Sequence, residues 1–225
     1  TCSEGACVLG DAAVFCCSKD ACPTGEGCVA SDDSLGLCGI ETSPTFGQIV
    51  FNEVLTDGTV DGDPNGDGDA PDSVGDEFIE LVNAADASVD LSGFTIVEND
   101  FKVKARHTFV DGTLLAAGDS IVVFGGGTAP DDIEGTTFLV ANADDPGVPL
   151  GLALSNDADV VQLLDADGKL VAAFAYGAGT GSPEISDESY TRWPDVSGDF
   201  TAHSVASGDD EQRFSPGTKA DGSSF

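Results

Sequence analysis

Gln48-Ile-Val-Phe-Asn-Glu-Val-Leu55 and Asp76-Glu-Phe-Ile-Glu-Leu-Val-Asn83 decide the fold of this chain. Each is a short β-branched, aromatic and aliphatic run beside Gly, Asp, Asn or Pro, and neither shows helical periodicity. The same pattern extends outward from the pair. Residues 93–98, 107–109, 120–124, 159–165 and 169–176 read as further strands, with shorter pieces at 137–140 and 189–193. Asp165-Ala-Asp-Gly168 reads as a hairpin turn whose Gly takes positive φ. Before it, Val161 and Leu163 share a face of their strand; after it, Leu170, Ala172 and Phe174 share a face of theirs. Helix is expected to be scarce and the class all-β, a sandwich built from many short strands.

Composition narrows the function. The 225 residues include 41 acidic and only 8 basic ones, a formal charge of −33. Such a surface repels nucleic acid and anionic membranes and attracts cations, so neither a nucleic-acid partner nor membrane insertion is expected. No apolar run is long enough to span a bilayer. All seven cysteines (Cys2, Cys7, Cys16, Cys17, Cys22, Cys28 and Cys38) fall in the first 38 residues. That density reads as a disulfide framework made in an oxidising compartment, and the absence of Cys-x-x-Cys pairs argues against zinc. Seven is odd, so one thiol is left over unless it pairs with another chain. The chain opens on Thr1, which fits a mature secreted product, extracellular or held at the cell surface. The organisation expected is a disulfide-rich segment over 1–40, a linker over 41–46, and a sandwich with a C-terminal extension over 47–225.

The most specific motif is Asp61-Gly-Asp-Pro-Asn-Gly-Asp-Gly-Asp-Ala-Pro-Asp72. Taken as a twelve-position calcium loop, it puts oxygen donors at positions 1, 3, 5, 9 and 12: Asp61, Asp63, Asn65, Asp69 and Asp72. Gly66 falls at the sharp turn, and Asp67 offers its carbonyl at position 7. Calcium takes about 6–8 oxygens, which alternating Asp and Asn with Gly between them can supply. Position 12 is Asp rather than the longer Glu, and the loop joins strands rather than helices, so no helix-opening switch is expected. Glu53, Asp76 and Glu77 flank the loop and are candidates for a second site. The acidic turns at Asp131-Asp132, Asp144-Asp145 and Asp209-Asp210-Glu211 lack ligand spacing and read as solvated surface.

Catalysis finds little support. His107 and His203 lie far apart, neither in a His-Glu-x-x-His frame, and no Gly-x-Ser-x-Gly elbow occurs. Gly125-Gly-Gly-Thr128 lacks a phosphate-loop Lys and reads as a turn. Tyr190 and Trp193 are expected to pin a terminal strand to the core rather than to form a sugar platform.

Several phrases then occur in a familiar order. The two opening strands are followed by Val89-Asp-Leu-Ser-Gly-Phe-Thr-Ile96, Leu114-Leu-Ala-Ala-Gly-Asp-Ser-Ile-Val-Val-Phe124 and Leu154-Ser-Asn-Asp-Ala-Asp-Val-Val-Gln-Leu-Leu-Asp165. Glu188-Ser-Tyr-Thr-Arg-Trp-Pro-Asp195 and Phe214-Ser-Pro-Gly-Thr-Lys219 close the series. This order resembles the lamin tail domain of bacterial secreted proteins across about residues 47–219. The resemblance implies an immunoglobulin-like sandwich that binds or scaffolds without catalytic residues. The function expected is a non-catalytic, calcium-stabilised structural or adhesive protein that self-assembles into a fibre, sheath or surface layer. The alternative is a calcium-dependent module recognising carbohydrate or another extracellular protein, with a secreted hydrolase in third place.

Overall fold

The computed structural model describes residues 42–59, 62–69, 72–100, 102–142, 151–177 and 180–225, and the backbone of five short strands ahead of them. Side chains are described for these residues except in 99–104 and in the five leading strands. Those strands are β1 (Cys2–Ser3), β2 (Ala6–Leu9), β3 (Ala13–Cys16), β4 (Cys28–Val29) and β5 (Gly36–Cys38), in the sheet order β1-β2-β3-β5-β4. Its register sets Cys2 opposite Cys7 and Cys28 opposite Cys38. The seven cysteine side chains, and with them the disulfide expectation, lie outside the described residues.

The remaining strands are β6 (Ile49–Leu55), β7 (Phe78–Asn83), β8 (Val89–Asp90), β9 (Thr95–Asp100), β10 (Lys102–Thr108), β11 (Leu114–Leu115), β12 (Ser120–Phe124), β13 (Thr136–Val140), β14 (Asp159–Leu164), β15 (Leu170–Tyr176), β16 (Tyr190–Trp193) and β17 (Asp199–Ala202), followed by the short helix α1 (His203–Ser207). They form a six-stranded sheet, β13-β12-β7-β6-β16-β17, and a four-stranded sheet, β10-β9-β14-β15, with β8 and β11 as a separate pair. Pairing is antiparallel throughout these sheets except between β12 and β13. This is an all-β, immunoglobulin-like sandwich. No helix among the described residues is long and apolar enough to cross a membrane.

Strand alternation sends Ile49, Phe51 and Val54 of β6, Ile79 and Leu81 of β7, and Ile121 and Val123 of β12 into the space between the sheets. Ile96 of β9, Val161 and Leu163 of β14, and Ala172 and Phe174 of β15 meet them. The hairpin forms as its sequence requires: Asp165 N–H donates to Lys169 O, and Gly168 has φ 78°. Phe174 is the hub of an aromatic cluster, 4.2 Å from Phe200 and 5.4 Å from Tyr190 between ring centroids. Tyr190 thereby ties β16 to the core, as expected. Trp193 departs from expectation, being 48% exposed.

Strand β10 starts five residues earlier than its sequence suggests, because Lys102, Lys104 and Arg106 disguise an edge strand as a loop. Its register sets Lys104 opposite Glu98 and Lys102 opposite Asp100. Arg106 turns inward past a bulge and forms a fully buried ion pair with Glu98 at 2.6 Å.

A second apolar cluster explains why β7 and β12 are buried along their whole length. Leu55, Phe78, Val122 and Phe124 project from the opposite, outer face of the six-stranded sheet, with Phe138 and Phe214 packed on them. Phe214 arrives from the C-terminal segment, which covers this face.

Candidate functional site

The acidic loop is built on its own amides. Asp63 accepts from the N–H groups of Asp67 (3.1 Å) and Gly68 (2.8 Å), and Asn65 Oδ1 accepts from Asp67 N–H. These Asx-type bonds hold a turn in which Gly66 takes φ 71° with nothing within 4 Å of a hypothetical Cβ. Asp67 reaches out of the loop, its Oδ2 accepting from Thr128 N–H at 3.0 Å while Oδ1 accepts from Asp69 N–H. The Gly125–Thr128 turn is therefore a wall of this loop, a role its sequence does not announce. Asn65 is buried at 2% exposure; Asp69 is exposed and Asp72 half-buried. Asp61, the first position of the motif, lies outside the described residues.

Asp76 forms the floor. It is 0% exposed; Oδ2 accepts from Asp72 N–H at 2.8 Å, and Oδ1 is buried with no hydrogen-bond partner. Burial raises its pKa from the ordinary aspartate value, against the lowering effect of the Asp72 amide, and the charges of Asp63, Asp72 and Asp67 push it further up. Among the described residues, no three His, Cys, Asp or Glu side chains already converge as a metal-holding group. What the fold provides is one buried carboxylate oxygen without a donor, within electrostatic reach of Asp63, Asp72 and Asp67.

The flanking acids part company. Glu77 turns away, its Oε2 accepting from Leu154 N–H at 3.2 Å, and burial pushes its pKa up to about 8 against the amides of Leu154 and Ala153. Glu53 does not join Asp76 at all. It stands opposite Glu80 in the β6–β7 register, and both are 0% exposed beneath the C-terminal segment. Glu53 Oε1 accepts from Ser189 Oγ (2.6 Å) and Ser215 N–H (2.9 Å), and Oε2 from Ser215 Oγ (2.9 Å). Glu80 accepts from Asn52 Nδ2 (2.9 Å) and Gly217 N–H (2.7 Å). His203 Nδ1 lies 3.4 Å from Glu53 and 3.0 Å from Thr191 Oγ1. Burial first, and then the charge of Glu53, holds Glu80 well above its ordinary value.

The profile of the Lamin Tail Domain family matches residues 42–178, more than half of the chain. The chain belongs to the lamin tail domain family. These are non-enzymatic immunoglobulin-like domains. A comparison with curated proteins returned no match. The matched span contains the acidic loop, Glu53 and Glu80, but β16, β17, α1 and the segment that seals the two glutamates lie beyond it.

Glu53 of the lamin tail domain, with Ser189 and His203 from beyond the matched span, has the composition of a nucleophilic triad without its geometry. A working triad places the imidazole between acid and hydroxyl and leaves the hydroxyl accessible. Here Ser189 and His203 contact the same carboxylate oxygen, His203 Nε2 has no partner, and all three residues are 0% exposed. The arrangement fastens chain segments together. His107 lines a cleft of about 380 Å³ with Val110, Leu114, Ile121, Leu139 and Asn142, and among the described residues no carboxylate lines it. Burial pushes its imidazole down to about 4, so it is neutral at neutral pH.

Proposed function

We propose that this chain is a non-catalytic extracellular structural or adhesive module, stiffened by calcium at the acidic loop and able to self-associate into a fibre, sheath or surface layer. The observation that carries the calcium reading is Asp76 Oδ1, a fully buried oxygen without a donor on a carboxylate that feels the charges of Asp63, Asp72 and Asp67. A buried carboxylate oxygen lacking a partner is destabilising by about 1–3 kcal/mol or more, and a hard divalent cation would relieve it while neutralising the acids above. Asp63, Asn65, Asp67, Asp72 and Asp76 are the ligand candidates, with Asp61 and Asp69 as outer members of the motif. The cysteine-dense start supports the extracellular setting. The self-association reading draws on β13 and β17, which among the described residues end the six-stranded sheet with one strand neighbour each.

Calorimetry at fixed ionic strength tests the site. Calcium at about a hundredfold excess over its Kd should add about 2.7 kcal/mol of stability over chelator, and Asp76→Asn should remove that increment. Equal recovery by sodium chloride, or a full calcium increment in Asp76→Asn, overturns the reading. Native mass measurement tests the assembly, which fails if only monomers are found.

A further inference from the structure

We propose that residues 213–220 form a releasable strap, latched over the outer face of β6 and β7 only while the Glu53–Glu80 pair carries a single negative charge. Three observations support it. The two carboxylates are direct cross-strand partners, so their side chains rise side by side from one face, fully buried. The strap closes over them by donating to each: Ser215 through N–H and Oγ to Glu53, Gly217 through N–H to Glu80. The strap is turns and irregular backbone, whereas β6 and β7 are interior strands paired on both sides.

The groups facing the pair are few. Asp195 approaches from the turn before β17, its Oδ1 accepting from Asn52 Nδ2 (3.2 Å) and Ala220 N–H (3.3 Å). His203 approaches from α1, Thr191 from β16 and Ser189 from the residue just before β16. Arg213 pairs with Glu188 and not with either glutamate. The pair therefore lies among a third carboxylate, one imidazole and neutral donors. A second charge there must be solvated, and water reaches it by lifting the irregular cover. Burial and the neighbouring Glu53 charge already hold the Glu80 proton against ordinary ionisation. Lifting the strap removes Phe214 from Leu55, Phe78, Val122 and Phe124 and uncovers an apolar face.

Amide hydrogen exchange on the full chain, corrected for intrinsic rates and run in chelator so that loop calcium has no part, is the test. Protection at Ser215 and Gly217 should fall by up to about tenfold per pH unit as pH rises from the ordinary carboxyl value of 4.5 toward the raised value of Glu80, while β9 and β14 stay protected. Glu80→Gln should flatten that dependence. Strap amides that lose protection only together with β9 and β14, or an unchanged pH dependence in Glu80→Gln, overturn the proposal. Should Glu80→Gln not fold, a carbon-13 titration of the wild-type Glu80 carboxyl decides: a midpoint near the ordinary 4.5 sinks the latch, and one well above it supports it.

Discussion

Two acidic regions of this molecule answer the same electrostatic problem in opposite ways. The loop over 62–76 keeps Asp67 and Asp69 in water and Asp63 and Asp72 half in it, feeds them its own amides, and leaves one floor oxygen, on Asp76, without a donor. The Glu53–Glu80 pair is sealed from water and receives donors from Ser189, the strap and Asn52. The first is open to an ion from solvent; the second is closed by the chain itself. Charge count does not distinguish them. What does is whether a covering segment brings N–H and O–H groups to each oxygen.

Removing Glu53 should have the largest effect. Glu53→Ala strands Ser189, Ser215 and His203 in a dry site, and chemical denaturation should show a loss of about 3–5 kcal/mol. A loss below about 1 kcal/mol would mean that the sealed pair is no more structural than the loop.

Calcium comes next, with a change of sign that sharpens the contrast. In chelator, Asp76→Asn should be neutral or stabilising by about 1 kcal/mol, because it discharges a buried acid; in calcium it should be destabilising by about 2–3 kcal/mol relative to wild type. The same comparison on Glu80→Gln should show no calcium dependence.

The sealed pair also sets a pH slope. Glu80 keeps its proton in the fold at pH values where the unfolded chain, with its ordinary 4.5, has lost it. The folded state then binds more protons, so this contribution is fully present below about 4.5 and is lost as pH rises toward the folded value, by on the order of 1 kcal/mol per unit. Denaturation midpoints followed across that window check it; stability that rises with pH there contradicts the assignment.

The smallest effect belongs to Asp67. In chelator, where no calcium is lost with it, Asp67→Ala breaks the tie to Thr128 on an exposed side chain and should lower stability by only about 0.5–1 kcal/mol. A loss as large as that of Glu53→Ala would erase the difference between the two regions.

Alternation and turn chemistry, both local properties, were enough to place most strands of the sandwich, including the hairpin at Asp165–Gly168 and the buried faces of β14 and β15. They failed where charged residues sit in strands: at β10, and at β17, whose short Asp-Phe-Thr-Ala carries too little pattern to read. The loop's ligand spacing was legible because Asp and Asn at alternate positions with Gly66 between them is a statement about one contiguous segment. Asp76 appeared only as a flanking acid, since nothing local marks it as the floor.

Sequence alone thus determined the all-β class, the family, the cysteine-dense start and the acidic loop, because each depends on neighbours along the chain. Tertiary structure alone decided that Glu53 belongs with Glu80 and His203 rather than with the loop. Register sets the two glutamates side by side, and a segment more than 130 residues downstream of both supplies their donors and excludes the water that would otherwise have surrounded them.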